Sequence, residues 1–375
     1  MYTSDQRIVM TLDAGGTNLV FSAIRGGREI VAPVVLPAAA DRLETCLGNL
    51  VKGFTAVYRA LPEAPVAISF AFPGPADYAA GIIGDLPNFP SFRGGVALGP
   101  LLEDRFGVPV FIHNDGNLFA YGEALAGWLP EVNRRLEEAG SPKRYKNLLG
   151  ITLGTGFGAG VVVNGELLTG DNDCGGDVWC LRNKNYPEYI VEESVSIRAV
   201  QRVYADGSGD LSPLTPKAIY EIAEGVRPGD RQAAAQAFAE LGEMAGEAIA
   251  TAVTLIDGLV VIGGGLSGAA RYIMPALCKE LNGTTGMRDG SRFNRLQMQV
   301  FNLDDPAQFD RFVRRETVPV EVPGTNRRVA YDPFKRIGVA ISRQGANRSI
   351  AMGAYGYALN HLDGNSGDFY FERKK

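Results

Sequence analysis

Asp13-Ala14-Gly15-Gly16-Thr17 stands at the end of an apolar run, Ile8 to Leu12, and a second apolar run, Leu19 to Ile24, carries the chain away. Paired glycines between two strands permit a tight turn and a close approach to the backbone. A turn of that kind points several N–H groups one way, which suits the oxygens of a phosphate. The aspartate beside it repels phosphate, so a cation between the two is required. Taken alone, the stretch is equally consistent with an ordinary hairpin and a capped bend. The chain repeats it, however. Leu148 to Leu153 breaks into Gly154-Thr155-Gly156-Phe157-Gly158-Ala159-Gly160, and Val161-Val162-Val163 follows. A third strand-like run, Leu259 to Ile262, ends in Gly263-Gly264-Gly265 ahead of a helix-prone segment, Ala270 to Leu281.

Strands and helices must carry these turns. Arg7 to Leu12, Leu19 to Ile24 and Glu29 to Val35 have strand composition, with Gly26-Gly27 as the hairpin turn between the last two. Asp41 to Leu61 has helical apolar spacing and stops before Pro62. Val66 to Phe72 is an apolar strand halted by Pro73-Gly74-Pro75, and Leu98 to Phe106 is helical. Val108 to Ile112 is a strand running into His113-Asn114-Asp115, with an amphipathic run, Leu118 to Leu129, beyond it. Side chains at such a strand end emerge where α/β sheets present their ligand sites. Asp115 is also suited to cap the following helix. His113 alternates with Asn114 and is expected to point into the core. Glu131 to Arg144 is charged, helix-prone and expected to be solvated. The order strand, glycine turn, strand, hairpin, strand at Arg7 to Val35 recurs at Leu148 to Leu168, where Asn164-Gly165 makes the second hairpin. That is a duplication of architecture, and two similar lobes sharing a cleft is the natural inference. Asp230 to Ile256 reads as a long alanine-rich helix, Asn282 to Lys335 as irregular and polar, Ile337 to Ser342 as a strand and Ser349 to Leu362 as a small-residue helix. Asp363 to Lys375 reads as a poorly ordered tail.

Bulk properties narrow the class. A chain of 375 residues is too long for one simple core. A net charge of −5 gives no general pull toward nucleic acid or an anionic membrane. Cys46, Cys174, Cys180 and Cys278 form no regular framework, which favours free thiols in a reducing compartment. No charged n-region followed by an apolar h-region opens the chain, and no apolar run reaches membrane-spanning length. A cytoplasmic setting without membrane or nucleic-acid partners is expected.

Asp13-x-Gly15-Gly16-Thr17, Phe72-Pro73-Gly74-Pro75, Asn114-Asp115, Leu153-Gly154-Thr155-Gly156-x-Gly158 and Ile262-Gly263-Gly264-Gly265 fall in the order and rough spacing of one family. The chain resembles the sugar kinases of the ROK family (repressor, open reading frame, kinase), which belong to the actin-like ATPase superfold. The resemblance covers about residues 7 to 275 and the final helix. It implies a two-lobed α/β, ribonuclease H-like fold with a nucleotide and sugar cleft between the lobes. The expected lobes are residues 1–117 with 349–375, and 118–348. By the same resemblance Gly15, Gly16 and Thr17 would hold the β- and γ-phosphates of ATP, and Asp13 would bind Mg²⁺ directly or through water. Gly154, Thr155 and Gly156 would face them, and Gly263, Gly264 and Gly265 would let adenosine lie against the backbone. Asp115 would be the general base that takes the proton of a sugar hydroxyl, a role worth about 10²–10⁴ in rate. Asn88 and Asn114 would hydrogen-bond sugar hydroxyls, although turn or cap roles compete at both.

The pattern departs from the family at Asp173-Cys174-Gly175-Gly176-Asp177-Val178-Trp179-Cys180. Most members carry Glu-x-Gly-His there, followed by a cysteine cluster that binds zinc. Here Cys174 stands for the glutamate and Asp177 for the histidine, and Cys174 and Cys180 lack the spacing of a zinc knuckle, so no zinc site is expected. Glu192 followed by Ser196 matches the family's downstream glutamate and serine. Glu192 would then contact the sugar near its anomeric end, with Asp177 as a substitute hydroxyl acceptor. The implied activity is transfer of the γ-phosphate of ATP to the 6-hydroxyl of a hexose, glucose first, by a homodimer. N-acetylhexosamine and fructose are the alternative acceptors. A non-catalytic sugar-binding regulator is the alternative from another class. Only Met1 to Gln6 precede the first strand, so the winged helix-turn-helix of such regulators is not expected.

Overall fold

A computed structural model describes residues 2–15, 17–84 and 89–364. The chain divides into two compact units, residues 1–127 with 166–175 and 346–375, and residues 128–165 with 176–345. The first break thus falls at Gly127, ten residues beyond the expected 117, because the helix after Asp115 packs within the first unit.

The first unit is built on strands β1 (Val9–Ala14), β2 (Asn18–Arg25), β3 (Arg28–Glu29), β4 (Val34–Pro37), β5 (Ala67–Ala71) and β6 (Val110–His113). Their order is β3-β2-β1-β5-β6, with β4 also paired to β2. β1 and β2 run antiparallel, whereas β1, β5 and β6 run parallel. The Gly26-Gly27 hairpin forms as the sequence predicts, both glycines having positive φ (57° and 72°), which is the type I′ geometry. Strand residues alternate between two cores. Met10, Leu12, Phe21, Ile68 and Phe70 pack with Leu50, Phe54 and Val57 of helix α1 (Leu43–Ala60) and Leu102 of helix α2 (Leu98–Phe106). Val9, Ile24 and Ala67 pack instead with Tyr355, Ala358 and Leu359 of the final helix, Ala346–Leu362. Covering both faces is what a mostly parallel sheet requires.

Helix α3 (Asp115–Ala126) lies against that final helix at very close range. A Cβ on Gly122 would sit on the Ser349 carbonyl, one on Gly353 on the Leu118 carbonyl, and one on Gly356 on a Leu125 methyl. The small residues of Ser349 to Leu362 therefore exist for backbone-to-backbone packing. Ser349 Oγ donates to the fully buried Glu123 Oε1 at 2.6 Å across the same contact.

The second unit repeats the design with β7 (Leu148–Leu153), β8 (Phe157–Val163), β9 (Leu259–Gly263), β10 (Gln299–Asn302) and β11 (Arg336–Ile341) in the order β8-β7-β9-β11-β10. β7 and β8 are antiparallel and the remaining neighbours parallel, as in the first unit. Helices α5 (Ile197–Ser208), α7 (Arg231–Ile256) and α8 (Ala270–Leu281) cover it, with α6 (Pro216–Ala223) beside α7. Asp230 caps α7 by accepting the Gln232 and Ala233 N–H groups at 2.9 and 3.0 Å.

Two sequence expectations change here. The charged stretch 131–144 is not simply solvated: helix α4 (Trp128–Glu138) buries Trp128, Leu129, Val132 and Leu136 on one face, and Trp128 meets Phe309 of helix α9 (Pro306–Val313). Its charges mark only the outer face. Likewise Asn282 to Lys335 is not irregular throughout. It contains β10, α9 and two exposed hairpins, Thr284–Gly286 with Arg292–Asn294 and Val318–Glu321 with Arg328–Tyr331. β10 is too short to show periodicity, but Asp305-Pro306, an N-cap followed by proline at the first helical position, was a readable start signal for α9.

Candidate functional site

Strand register brings the first unit's acidic residues to one edge of its sheet. Asp13 is the next-to-last residue of β1 and pairs in parallel with Ala71 of β5, which pairs in turn with His113 of β6. The chain leaving β6 therefore delivers Asn114 and Asp115 to the edge where Asp13 and the glycine turn lie, the carboxyl edge of the parallel strands. Gly15 N–H donates to Asn18 O at 3.0 Å and closes that turn, and Thr17 O accepts the Ala38 N–H at 2.9 Å. Gly16 and Asn88 lie outside the described residues, as does the tail beyond 364.

The competing role for Asp115 is taken by its neighbour. Asn114 is the N-cap of α3, its Oδ1 accepting the Asn117 N–H at 2.6 Å, and Asp115 follows as the first helical residue. Asp115 Oδ1 accepts the N–H of Gly116 at 2.9 Å. The residue is open to solvent, yet desolvation by the surrounding protein raises its carboxyl above the ordinary carboxylate range, with the Gly116 hydrogen bond opposing. Both hold for a side chain on a concave surface. Asp13 is raised as well, first by desolvation and then by the negative charge of Asp115. Two coupled carboxylates with no cationic group among their influences are a place where a divalent cation gains free energy. This donor set fits Mg²⁺ shared with phosphate oxygens. It does not fit a cage of protein ligands, since no cluster of three or more His, Cys, Asp or Glu occurs among the described residues.

His113 is buried and pointed inward, as expected. Its ring stacks on Tyr78 at 4.9 Å, burial pushes its pKa down to about 3, and Nδ1 accepts the Asn114 N–H at 2.9 Å. It is therefore a neutral acceptor that steadies the turn between β6 and α3.

In the second unit Thr152 of β7 pairs with Gly263 of β9, so the turn Gly154-Thr155-Gly156 and the triplet Gly263-Gly264-Gly265 share one sheet edge. Gly154 N–H donates to Gly156 O at 3.0 Å, while Thr155 and Gly156 N–H have no protein acceptor among the described residues. The glycines differ in cause. Gly264 has φ +89° and a Cβ there would strike the Leu153 backbone, so packing and conformation both demand glycine. Gly154 and Gly265 have neither reason, because a Cβ at either would meet nothing within 4 Å.

Glu192 belongs to this second turn. It lies in the 3₁₀ turn Val191–Glu193, its Oε2 accepts the Phe157 N–H at 3.0 Å, and Arg198 is 3.4 Å from Oε1. Ser196 caps α5, and the Ile197 N–H donates to Gly154 O at 3.0 Å. Asp177 is half-buried and raised by desolvation, with a hydrogen bond from the Trp179 side chain opposing. Cys174 and Cys180 are exposed free thiols bonded only locally, to Asn172 O and Asp177 O. The sequence reading passed over Asn183, which is fully buried at the base of the loop before Glu192. Its signal was the turn-forming Asn-x-Asn at 183–185.

A sequence profile of the ROK family matches residues 9–286. The crystal structure of a glucokinase from Parabacteroides distasonis ATCC 8503 is 73% identical, with a TM-score of 0.87 over 96% of this chain and 100% of that one. The glucokinase of Thermotoga maritima is 29% identical over 57% of this chain and 68% of its own. An N-acetyl-D-glucosamine kinase of Vibrio vulnificus is 28% identical over 68% of this chain and 83% of its own.

Proposed function

The chain belongs to the ROK family, with the actin-like ATPase fold that its members share, and from that premise we propose that it transfers the γ-phosphate of ATP to the 6-hydroxyl of a hexose, glucose first. The observation that carries the reading is Asp115: a carboxylate released from capping by Asn114, raised by desolvation, on the same sheet edge as Asp13 and the first glycine turn. In its ionised form it takes the proton of the attacking hydroxyl. That oxygen bonds to the γ-phosphorus as the bond to the bridging oxygen breaks and ADP leaves. Phosphoryl transfer asks mostly for positioning and charge stabilisation, and glycine-turn N–H donors with a cation supply both. Mg²⁺ would neutralise charge between the β- and γ-phosphates, and Asp13 would hold it.

Gly15, Gly16 and Thr17 take the β- and γ-phosphates in this reading. Gly15 acts as the residue that closes the turn. Thr155 and Gly156 offer the donors of the second turn, Gly154 gives room for close approach, and Gly263, Gly264 and Gly265 accommodate adenosine. Asn88, Asn114 through its Nδ2, Glu192 through Oε1 and Asp177 contact the sugar. Glucose is supported by the high identity to the Parabacteroides glucokinase over its whole length. An N-acetylhexosamine acceptor is the second reading, supported by the Vibrio relatives. The homodimer and the cytoplasmic setting belong to the same reading. Four free cysteines support the latter, and sedimentation velocity tests the former. No described helix is long and apolar enough to cross a membrane.

The test is a coupled ADP-release assay over glucose, mannose, fructose, N-acetylglucosamine and N-acetylmannosamine, with product mapped by NMR. Glucose 6-phosphate as the best product is the expected result. Absence of sugar-dependent ADP release across the panel overturns the reading.

A further inference from the structure

Residues 181–194 form a loop whose apolar anchors, Val191 and the half-buried Leu181, sit at its base, while its tip is open: Tyr186 and Tyr189 are 40% and 56% exposed, and Lys184, Asn185, Pro187 and Glu188 lie between or beside them. A segment of that kind needs another source of order. Its two strands meet through an Arg182–Ile190 bridge, with Val191 N–H donating to Leu181 O at 2.7 Å and Asn183 N–H to Tyr189 O at 3.0 Å. Between them sits Asn183, with none of its surface exposed. Its Nδ2 donates to Ser194 Oγ at 2.8 Å and to Ile190 O at 3.3 Å. Its Oδ1 accepts the Asn185 and Tyr186 N–H groups, both at 3.0 Å. Two donors and two acceptor positions are the full capacity of the amide, so the network is complete. A complete buried network rigidifies what it joins.

What it joins is the 3₁₀ turn that carries Glu192. Ile190 and Ser194 flank Val191–Glu193, and the Nδ2 group grips both. Glu192 Oε2 in turn accepts the Phe157 N–H and lies where a Gly156 Cβ would come within 2.5 Å of it. Beyond Ser194 the same segment returns to the turn through Ile197 N–H and Gly154 O. We propose that Asn183 is a positioning residue that, acting through Glu192, fixes the shape of the turn Gly154-Thr155-Gly156. A buried side-chain amide thus does for this loop what a staple would. The kinetic consequence rests on the kinase reading; the structural one does not.

Deuterium exchange of residues 154–160 is compared in wild type, Asn183→Ala, Glu192→Ala and the double variant, with KM for ATP measured alongside. Glu192→Ala removes the acceptor of the Phe157 N–H and Asn183→Ala frees the turn that carries it, so exchange at these amides rises about tenfold or more in each single variant. The double variant exchanges no faster than Glu192→Ala, and the ATP KM effects are likewise non-additive. Asn183→Asp, which keeps the acceptors but loses Nδ2, loosens residues 154–160 as much as Asn183→Ala does. A lowered melting temperature in Asn183→Ala with wild-type exchange at 154–160, or additive effects with Glu192→Ala, overturns the proposal. Should Asn183→Ala not fold, Ser194→Ala removes one end of one bond; faster exchange at 154–160 then supports the proposal, and a change confined to 181–194 overturns it. A wild type that phosphorylates no sugar sinks the kinase reading and leaves the exchange result to stand or fall separately.

Discussion

The same place in the two sheets holds Asp13 in one and Thr152 in the other. Each is the next-to-last residue of the strand before a glycine turn, each pairs antiparallel with the outgoing strand, and each pairs in parallel with the next strand. Around them the first unit gathers a second carboxylate, Asp115, whereas in the second unit Glu192 is bonded to the Phe157 N–H. The turns match in length: Gly15 to Thr17 separates β1 from β2, and Gly154 to Gly156 separates β7 from β8. Duplication has therefore kept the backbone device and divided the chemistry. On the proposed reading one edge carries the charge that moves a proton and binds a cation, and the other offers backbone.

The largest effect should come from removing the charge that makes the first edge different. Asp115→Asn is expected to lower kcat by about 10²–10⁴ while nucleotide affinity, read by calorimetry, stays near wild type. In the wild type the acid limb of kcat/KM should fall above the ordinary carboxylate value of about 3.9, since activity requires the ionised form of a group whose pKa is raised. Full turnover in the variant would mean that the asymmetry between the edges is not catalytic.

Giving the second edge the first one's charge attacks the comparison from the other side. Thr152→Asp places a carboxylate beside a turn proposed to meet phosphate, and a like-charge penalty of about 1.4 kcal/mol would raise the ATP KM about tenfold. An unchanged KM would show that the edge does not face phosphate. The glycines sharpen the same point. Gly264→Ala strikes the Leu153 backbone at a left-handed φ and should cost about 2–4 kcal/mol of stability, read as a lower melting temperature. Gly154→Ala meets nothing in the protein, so its stability should stay within about 0.5 kcal/mol of wild type while the ATP KM rises. Equal losses of stability would erase the distinction between a packing glycine and a ligand-facing one.

Much of this architecture was legible because glycine turns after apolar strands leave a strong local mark, and because the mark recurs. Asp13 and the glycine turns stood out by their place after apolar strands, and Asp115 by its strand end together with the family resemblance. What spacing could not reveal was which neighbour caps α3: Asn and Asp are nearly equal N-caps, and only the Asn114–Asn117 bond decides. Nor could it show that Glu192 braces a backbone turn, since that contact joins residues 35 apart. The buried face of α4 was hidden under its charged outer face, and β10 is recruited by the parallel pairing of β11 rather than by any pattern of its own. Tertiary partners supply those features, and a single sequence does not state them.

The smallest expected effect bears most directly on why the edges differ. Asp115 has a folded-state pKa above its unfolded value, so between the two values the folded chain binds more protons than the unfolded one, and stability falls as pH rises through that window. Above the window the penalty is fully present. Neutralising the charge with Asp115→Asn should therefore raise the melting temperature at pH 7.5, and by only about 1–3 °C because the carboxylate is open to solvent. The gain should vanish as pH falls below about 4, where the wild-type carboxyl is protonated in both states. Thr152→Val, the matching change on the neutral edge, alters no titrating group, so its difference from wild type should be flat across the same range. Paired thermal scans from about pH 3 to 8 test both halves. A gain for Asp115→Asn that persists at low pH would mean that packing rather than charge is relieved, and the first edge would then hold its carboxylate at no electrostatic cost. The pH-dependent result, together with lost turnover, is the behaviour of a residue kept for chemistry at the expense of stability.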